Sequence, residues 1–154
     1  MAFEQAREYL RQRGYAERIT VFQTSSATVE LAAQAIGTEP ERIAKSLTFW
    51  GTDGPIMIVC AGDGRVDNKK FKEQFGRKAK MLTKEEVAEE IGHDVGGVCP
   101  FGIREGVKVY LDVSMKRFDR IYPACGSSNS MVDLTPEELE TLCEGTAWVD
   151  ICKF

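Results

Sequence analysis

Leu47-Thr48-Phe49-Trp50-Gly51-Thr52-Asp53-Gly54-Pro55-Ile56-Met57-Ile58-Val59-Cys60-Ala61 decides the fold. Two apolar, β-prone runs, Leu47 to Trp50 and Ile56 to Ala61, flank a Gly-Thr-Asp-Gly loop, which is the pattern of a β-hairpin. Ile56 to Ala61 is also the longest apolar run in the chain, far short of a membrane span.

Helical signals surround the hairpin. Upstream, Phe3, Ala6, Tyr9 and Leu10 recur at helical spacing before Gly14. Ile19 to Phe22 reads as a short strand. Thr24, Ser25 and Ser26 offer N-caps for a helix over about Ala27 to Ile36, stopped by Gly37. Thr38-Glu39-Pro40-Glu41 reads as a capping box opening a second short helix. Downstream, Asp67 to Phe75 is a capped polar helix ended by Gly76. Thr83-Lys84-Glu85-Glu86 and Thr135-Pro136-Glu137-Glu138 are further capping boxes, the first opening a helix that stops at Gly92. Val107 to Asp112, Ile121 to Cys125 and Trp148 to Ile151 read as strands. Interleaved helices and strands with no linker or repeat predict one α/β domain over residues 1–154.

The 154 residues are 43% apolar and 29% charged, with a net charge of −4, which excludes a disordered tail, a membrane protein and a globally basic nucleic-acid coat. Five cysteines, none in C-x-x-C spacing, indicate neither a disulfide framework nor a zinc knuckle. Reduced thiols and the absence of an apolar signal core predict a cytoplasmic protein.

Four features can carry chemistry. Gly92 to Gly102 loses periodicity and includes Gly96-Gly97-Val98-Cys99-Pro100-Phe101-Gly102, where paired glycines let successive N–H groups form an oxyanion nest. The competing reading is a plain connection, though it is long for one. Lys45 stands between a capped short helix and an apolar strand, where it anchors a phosphate or carboxylate or is merely solvated. Cys125-Gly126-Ser127-Ser128-Asn129-Ser130 is either a polar ligand wall or a turn. Lys69, Lys70, Lys72, Arg77, Lys78 and Lys80 gather six cations against one acid, Glu73. That is the footprint of phosphate contacts or a solvated helix face.

One histidine, His93, and no hydrolase elbow, zinc-protease motif or P-loop leave backbone dipoles, water and the substrate's own groups to do any chemistry. No metal or cofactor is expected.

Ala44-Lys45-Ser46-Leu47 before a strand, then Gly96 to Pro100 with Phe101-Gly102, then Ala124-Cys125-Gly126-Ser127 occur in one order. Together they resemble the YbaK/ProX family, stand-alone relatives of the prolyl-tRNA synthetase editing domain, from about Thr24 to about Leu139. The resemblance implies a curved, barrel-like mixed sheet with helices around it. It implies hydrolysis of the ester of a mischarged tRNA, such as tRNA(Pro) carrying a small wrong amino acid. It also implies prolyl-tRNA synthetase as a partner, no DNA or membrane, and a monomer or homodimer. By resemblance Lys45 is the pocket lysine, Gly96, Gly97, Val98, Cys99 and Pro100 surround the carbonyl, and Gly126 lies on the opposite wall. Ser46, Phe101, Gly102, Ser127, Ser128 and Asn129 join as substrate contacts. Two positions depart from the subfamilies. Ser46 stands where alanyl-specific members carry asparagine. Ser127 to Met131 replaces the basic, glycine-rich stretch of cysteinyl-specific ones. The alternatives are a non-catalytic binding module and a thiol enzyme built on Cys99.

Overall fold

The computed structural model describes residues 2–144 and 146–154. In chain order the elements are α1 (Ala2–Gln12), β1 (Ile19–Val21), α2 (Val29–Ile36), β2 (Ile43–Gly51), β3 (Gly54–Ala61), β4 (Arg65–Val66) and α3 (Asn68–Phe75). Then follow α4 (Lys84–Glu86, continuing as a π turn over Val87–Ile91), β5 (Lys108–Asp112), β6 (Tyr122–Pro123), β7 (Ser130–Val132), α5 (Pro136–Leu142), β8 (Ala147–Val149) and β9 (Cys152–Lys153).

The hairpin of β2 and β3 forms the middle of a five-stranded sheet ordered β6-β2-β3-β5-β8. Only β2 and β3 are antiparallel; β6, β5 and β8 each add in parallel. Bridges Ile121↔Leu134 and Ala124↔Met131 stitch β7, and through it β1, onto the β6 side. The result is a curled half-barrel with helices around it, as the resemblance implied.

Alternation along the hairpin divides the core. Ala44, Met57, Val59 and Ala61 face one way, packing with Leu10, Ile91, Leu111 and Leu139. Phe49, Ile56, Ile58 and Cys60 face the other, under α3. There Phe71 stacks on Phe49 and Phe75 with centroids 4.9 and 4.8 Å apart. A third cluster, Ala32, Ala33, Ile43 and Met131, lies under α2. Buried Asp112 accepts from Ser114 N at 2.9 Å and Ile151 N at 2.8 Å, while Ser114 Oγ accepts from Ala61 N, so the end of β3 is pinned.

The capping boxes at Thr83 and Thr135 form with both halves bonded, and Asp67 caps α3 through the amides of Lys69 and Lys70. Four sequence expectations are corrected. The box at Thr38 does not form; Pro40–Arg42 is a single 3-10 turn with no side-chain cap. Helix α2 is capped by Thr28, not by the preceding run, because Thr28 accepts from Leu31 N. β2 begins at Ile43 rather than Leu47, because Ala44 to Ser46 pair with Val59 to Ala61 of β3, and Ile43 and Ala44 pair with Tyr122 and Pro123. The strand at Ile121 to Cys125 shrinks to Tyr122–Pro123, since Pro123 has no N–H to extend a ladder. No helix among the described residues is long and apolar enough to cross a membrane.

Candidate active site

β2 loses its neighbour for one rung. On the edge away from β3, β6 pairs with Ile43 and Ala44. Further along, Trp50 N donates to Lys80 O at 2.9 Å and Leu82 N donates to Thr48 O at 3.2 Å. Main-chain groups alternate in direction along a strand, so Ser46, two residues before Thr48, turns its N–H and C=O to this same edge. Neither has a partner among the described residues. The Ser46 hydroxyl is also buried without a partner. An unsatisfied buried polar group typically costs about 1–3 kcal/mol, so this rung is poised to take a polar ligand.

A cavity of about 500 Å³ opens at the gap. Ile43 to Thr48 form one wall. Ser26 to Val29 and Ala32 form a second, at the start of α2. Val95, Gly96 and Val98 of the irregular loop face Met81, Leu82, Lys84 and Val87, and Tyr122, Ala124 and Met131 complete the lining. Met81 and Val95 are 55% and 59% exposed, so apolar side chains reach solvent on two sides of the cavity. The volume and the few polar groups suit a small ligand.

Lys45 lies inside β2, opposite Cys60 of β3, and lines the cavity half-buried. Its Nζ makes one long bond, 3.4 Å to Gly62 O. An ammonium has three donors, so two are free for an anion. Neighbouring Asp63 is committed elsewhere: Arg117 bonds it at 2.6 and 3.1 Å and holds its carboxyl below the usual range.

In the loop, Gly92 leaves the helix with φ +92. His93 is 1% exposed, and its Nδ1 accepts from Cys99 N at 3.3 Å. Gly97 N donates to Asp94 O at 3.1 Å, and Gly126 N donates to Gly97 O at 3.0 Å. A Cβ on Gly97 would stand 2.6 Å from Ser127 N, so only glycine allows this approach. The amides expected to form one nest therefore divide. Those of Gly97 and Cys99 are spent inside the loop. Those of Gly96 and Val98, both on the cavity wall, have no partner among the described residues. Cys99 is fully buried, and burial pushes its thiol well above its ordinary value. A neutral, inaccessible thiol is no nucleophile, which removes the ground for the thiol reading.

The remaining expected contacts lie behind the cavity or away from it. Phe101 is buried in the core beside Tyr9, and Gly102 packs against the backbone of Gln5. Pro100 is buried, and neither it nor Gly126, Ser127, Ser128 and Asn129 lines the cavity. They hold its second wall: Ser128 O accepts from Ser26 N at 2.6 Å, and Asn129 Nδ2 donates to Phe22 O at 2.9 Å. Ser127 Oγ is engaged with Asn129 Oδ1 and Ser130 Oγ. In the basic segment, Lys70 is tied to Asp150 and Cys152 O, and Arg77 to Gly51 O. Lys69, Lys72, Lys78 and Lys80 are exposed, and the run continues to Lys84 on the cavity wall. Sequence reasoning missed Thr28, Val29, Met81, Lys84 and Tyr122. Of these, only Thr28 carried a signal, as a further N-cap type set off by Ala27 from the Thr24-Ser25-Ser26 run. No group of three or more His, Cys, Asp or Glu that could hold a metal occurs among the described residues.

The sequence profile of the aminoacyl-tRNA editing domain matches residues 24–142. The uncharacterised protein YwhH of Bacillus subtilis strain 168 is 51% identical over 154 residues, covering 99% of this chain and 98% of its own. A candidate Cys-tRNA(Pro)/Cys-tRNA(Cys) deacylase, EbsC of Enterococcus faecalis, is 28% identical over 120 residues, covering 77% of this chain and 73% of its own. A solved structure described as a candidate trans-editing enzyme for prolyl tRNA synthetase superposes with a TM-score of 0.89 at 30% identity, covering 99% of this chain and 98% of that one.

Proposed function

The chain belongs to the aminoacyl-tRNA editing domain family, and from that premise we propose that it acts in trans to hydrolyse the ester joining a wrong amino acid to the 3′ end of a tRNA. The observation that carries this reading is one cavity lined by Gly96 and Val98, whose amides have no partner among the described residues, by Ser46 with its open rung, and by Lys45. An aminoacyl ester offers a carbonyl, an α-amino group and a nearby phosphate. The two loop amides take the carbonyl oxygen. The Ser46 C=O accepts from the α-amino group. Lys45 takes the terminal phosphate as a point charge. Water adds to the carbonyl carbon, and the amides stabilise the oxyanion. The C–O bond to ribose then breaks, and the sugar oxygen leaves with a proton. Lys45, Lys84 and Tyr122 are the titratable side chains on the wall. No carboxylate, imidazole or thiol is among the described residues that line the cavity, so the proton is assigned to water and the substrate's own amino and hydroxyl groups.

The substrate that fits the relatives is tRNA(Pro) carrying a small non-cognate amino acid, since EbsC and the structural neighbour are described with tRNA(Pro) and prolyl tRNA synthetase. The test is a panel of tRNA(Pro) esters with small amino acids. Release by catalytic amounts of protein, with prolyl-tRNA(Pro) spared, supports the reading. Tight binding with no release of any ester would make the chain a binding module.

The exposed lysines of the basic segment are assigned to tRNA phosphates. Reversing Lys72, Lys78 and Lys80 to glutamate is expected to weaken whole-tRNA affinity and to flatten the slope of log K against log salt. The change is about 0.7 per lost contact on a single strand or about 0.9 on a duplex. Cleavage of a minimal aminoacyl-adenosine is expected to stay near wild type. An unchanged salt slope would mark these lysines as merely solvated.

A further inference from the structure

His93 is the one histidine of the chain and does not line the cavity, yet it is almost wholly buried at the start of the loop that supplies the two free amides. Its Nδ1 accepts the Cys99 N–H at 3.3 Å and lies 3.7 Å from Cys99 Sγ. With Gly97 N on Asp94 O, this bond closes the loop at two points, one on each side of Val98. Val98 lines the cavity, its own N–H has no partner among the described residues, and the residues on either side of it are tied down. The bond needs a lone pair on Nδ1, so the proton of the neutral ring sits on Nε2, which is buried without a bonded partner.

We infer that His93 is a positioning residue for the deacylation, a neutral imidazole whose Nδ1 clamps the Cys99 amide and so aims the Val98 N–H at the reacting carbonyl. The inference rests on the deacylase reading and adds a regulation to it. Protonation of Nδ1 turns the acceptor into a donor facing another donor, and the clamp opens. Burial is the largest influence on the ring and lowers its pKa below the ordinary value. The backbone at Phe101 and Gly102 and the Asp94 carboxylate oppose this without cancelling it. The thiol of Cys99, which faces the ring, and that of Cys125, which acts on Cys99, are both raised by burial and stay neutral, and Arg104 packs over Gly92. The ring is therefore neutral at neutral pH, and the clamp fails as pH falls below about 6.5 and through the lowered value.

The experiment compares wild type, His93→Asn and His93→Leu in kcat, KM and pH profile. In the Asn variant, Oδ1 stands two bonds from Cβ as Nδ1 does, accepts the same N–H and cannot be protonated in this range. His93→Leu keeps the bulk and removes the acceptor. The expected result is a kcat about 10²-fold lower for His93→Leu with KM unchanged, the size a misplaced reacting group costs. His93→Asn is expected within a few-fold of wild type, with the acid limb of the wild-type profile gone. Equal losses in both variants, or an acid limb that persists in His93→Asn, overturn the proposal. Hydrogen exchange of the Cys99 amide gives an answer independent of turnover. Its protection factor, the rate corrected for intrinsic exchange at each pH, is expected high in wild type and His93→Asn at pH 7, low in His93→Leu, and to fall in wild type but not in His93→Asn as the pH is lowered through the histidine's titration. A Cys99 amide as protected in a folded His93→Leu as in wild type at pH 7 refutes the clamp. An absence of turnover in wild type with the clamp intact refutes the deacylase reading instead.

Discussion

Gly97→Ala is expected to lower kcat for ester hydrolysis by about 10²–10³, the range seen when one oxyanion donor is lost. The new Cβ would meet Ser127 N at 2.6 Å and the carbonyl carbons of Gly126 and Ser127 at 2.8 Å. All three are backbone atoms, so no side chain can swing aside. The loop must back away, which breaks the Gly126 N to Gly97 O bond and shifts Gly96 and Val98 on either side of it. Both free amides then miss the oxyanion. The same crowding is expected to cost about 1–3 kcal/mol of stability, the usual price of overpacking, visible as a lower Tm. Steady-state kinetics on folded protein checks the first effect, and wild-type kcat in this variant would take the loop out of the machinery.

Lys45→Ala is expected to lose about 10- to 150-fold in kcat/KM while remaining folded. A hydrogen bond to a charged group contributes about 1.5–3 kcal/mol, and each 1.36 kcal/mol is tenfold in rate. The side chain is only half-buried, and its one internal bond, to Gly62 O, is long, so the fold loses little. If Lys45 holds a phosphate in ground state and transition state alike, the loss falls mainly on KM. A substrate truncated to the amino acid methyl ester lacks that phosphate and should be insensitive to the change. Sensitivity of the methyl ester would move Lys45 from the phosphate to the reacting carbonyl.

Local signals in the chain were legible wherever local chemistry decides. The glycines read as stops, Gly37, Gly76 and Gly92, all take the left-handed conformation, and the caps at Asp67, Thr83 and Thr135 are made by the residues expected. The hairpin was legible from its turn. What escaped was set by pairing between distant segments. The first residues of β2 are fixed by β6, which arrives from far along the chain, as well as by the far end of β3, and β7 was not read as a strand because its partners are β1 and Ala124. The site divides in the same way. Lys45, Ser46, Gly96 and Val98 line one cavity. Phe101, Gly102 and the segment from Gly126 to Asn129 belong to the same motifs, yet they support the wall rather than form it. Motif membership does not distinguish a residue that touches a ligand from one that holds its neighbour. The open rung at Ser46 had no sequence signal, since it exists only where two separate segments stop short of each other along β2.

The central claim is that the cavity at this rung hydrolyses an aminoacyl ester. It is tested most directly by multiple-turnover release of a small amino acid from misacylated tRNA(Pro), with protein at a small fraction of the substrate. Wild type is expected to release many equivalents per chain, well above buffer alone, and Lys45→Ala prepared alongside it to release far fewer. Release no faster than buffer for every small ester, by a folded protein that binds the tRNA, would contradict it.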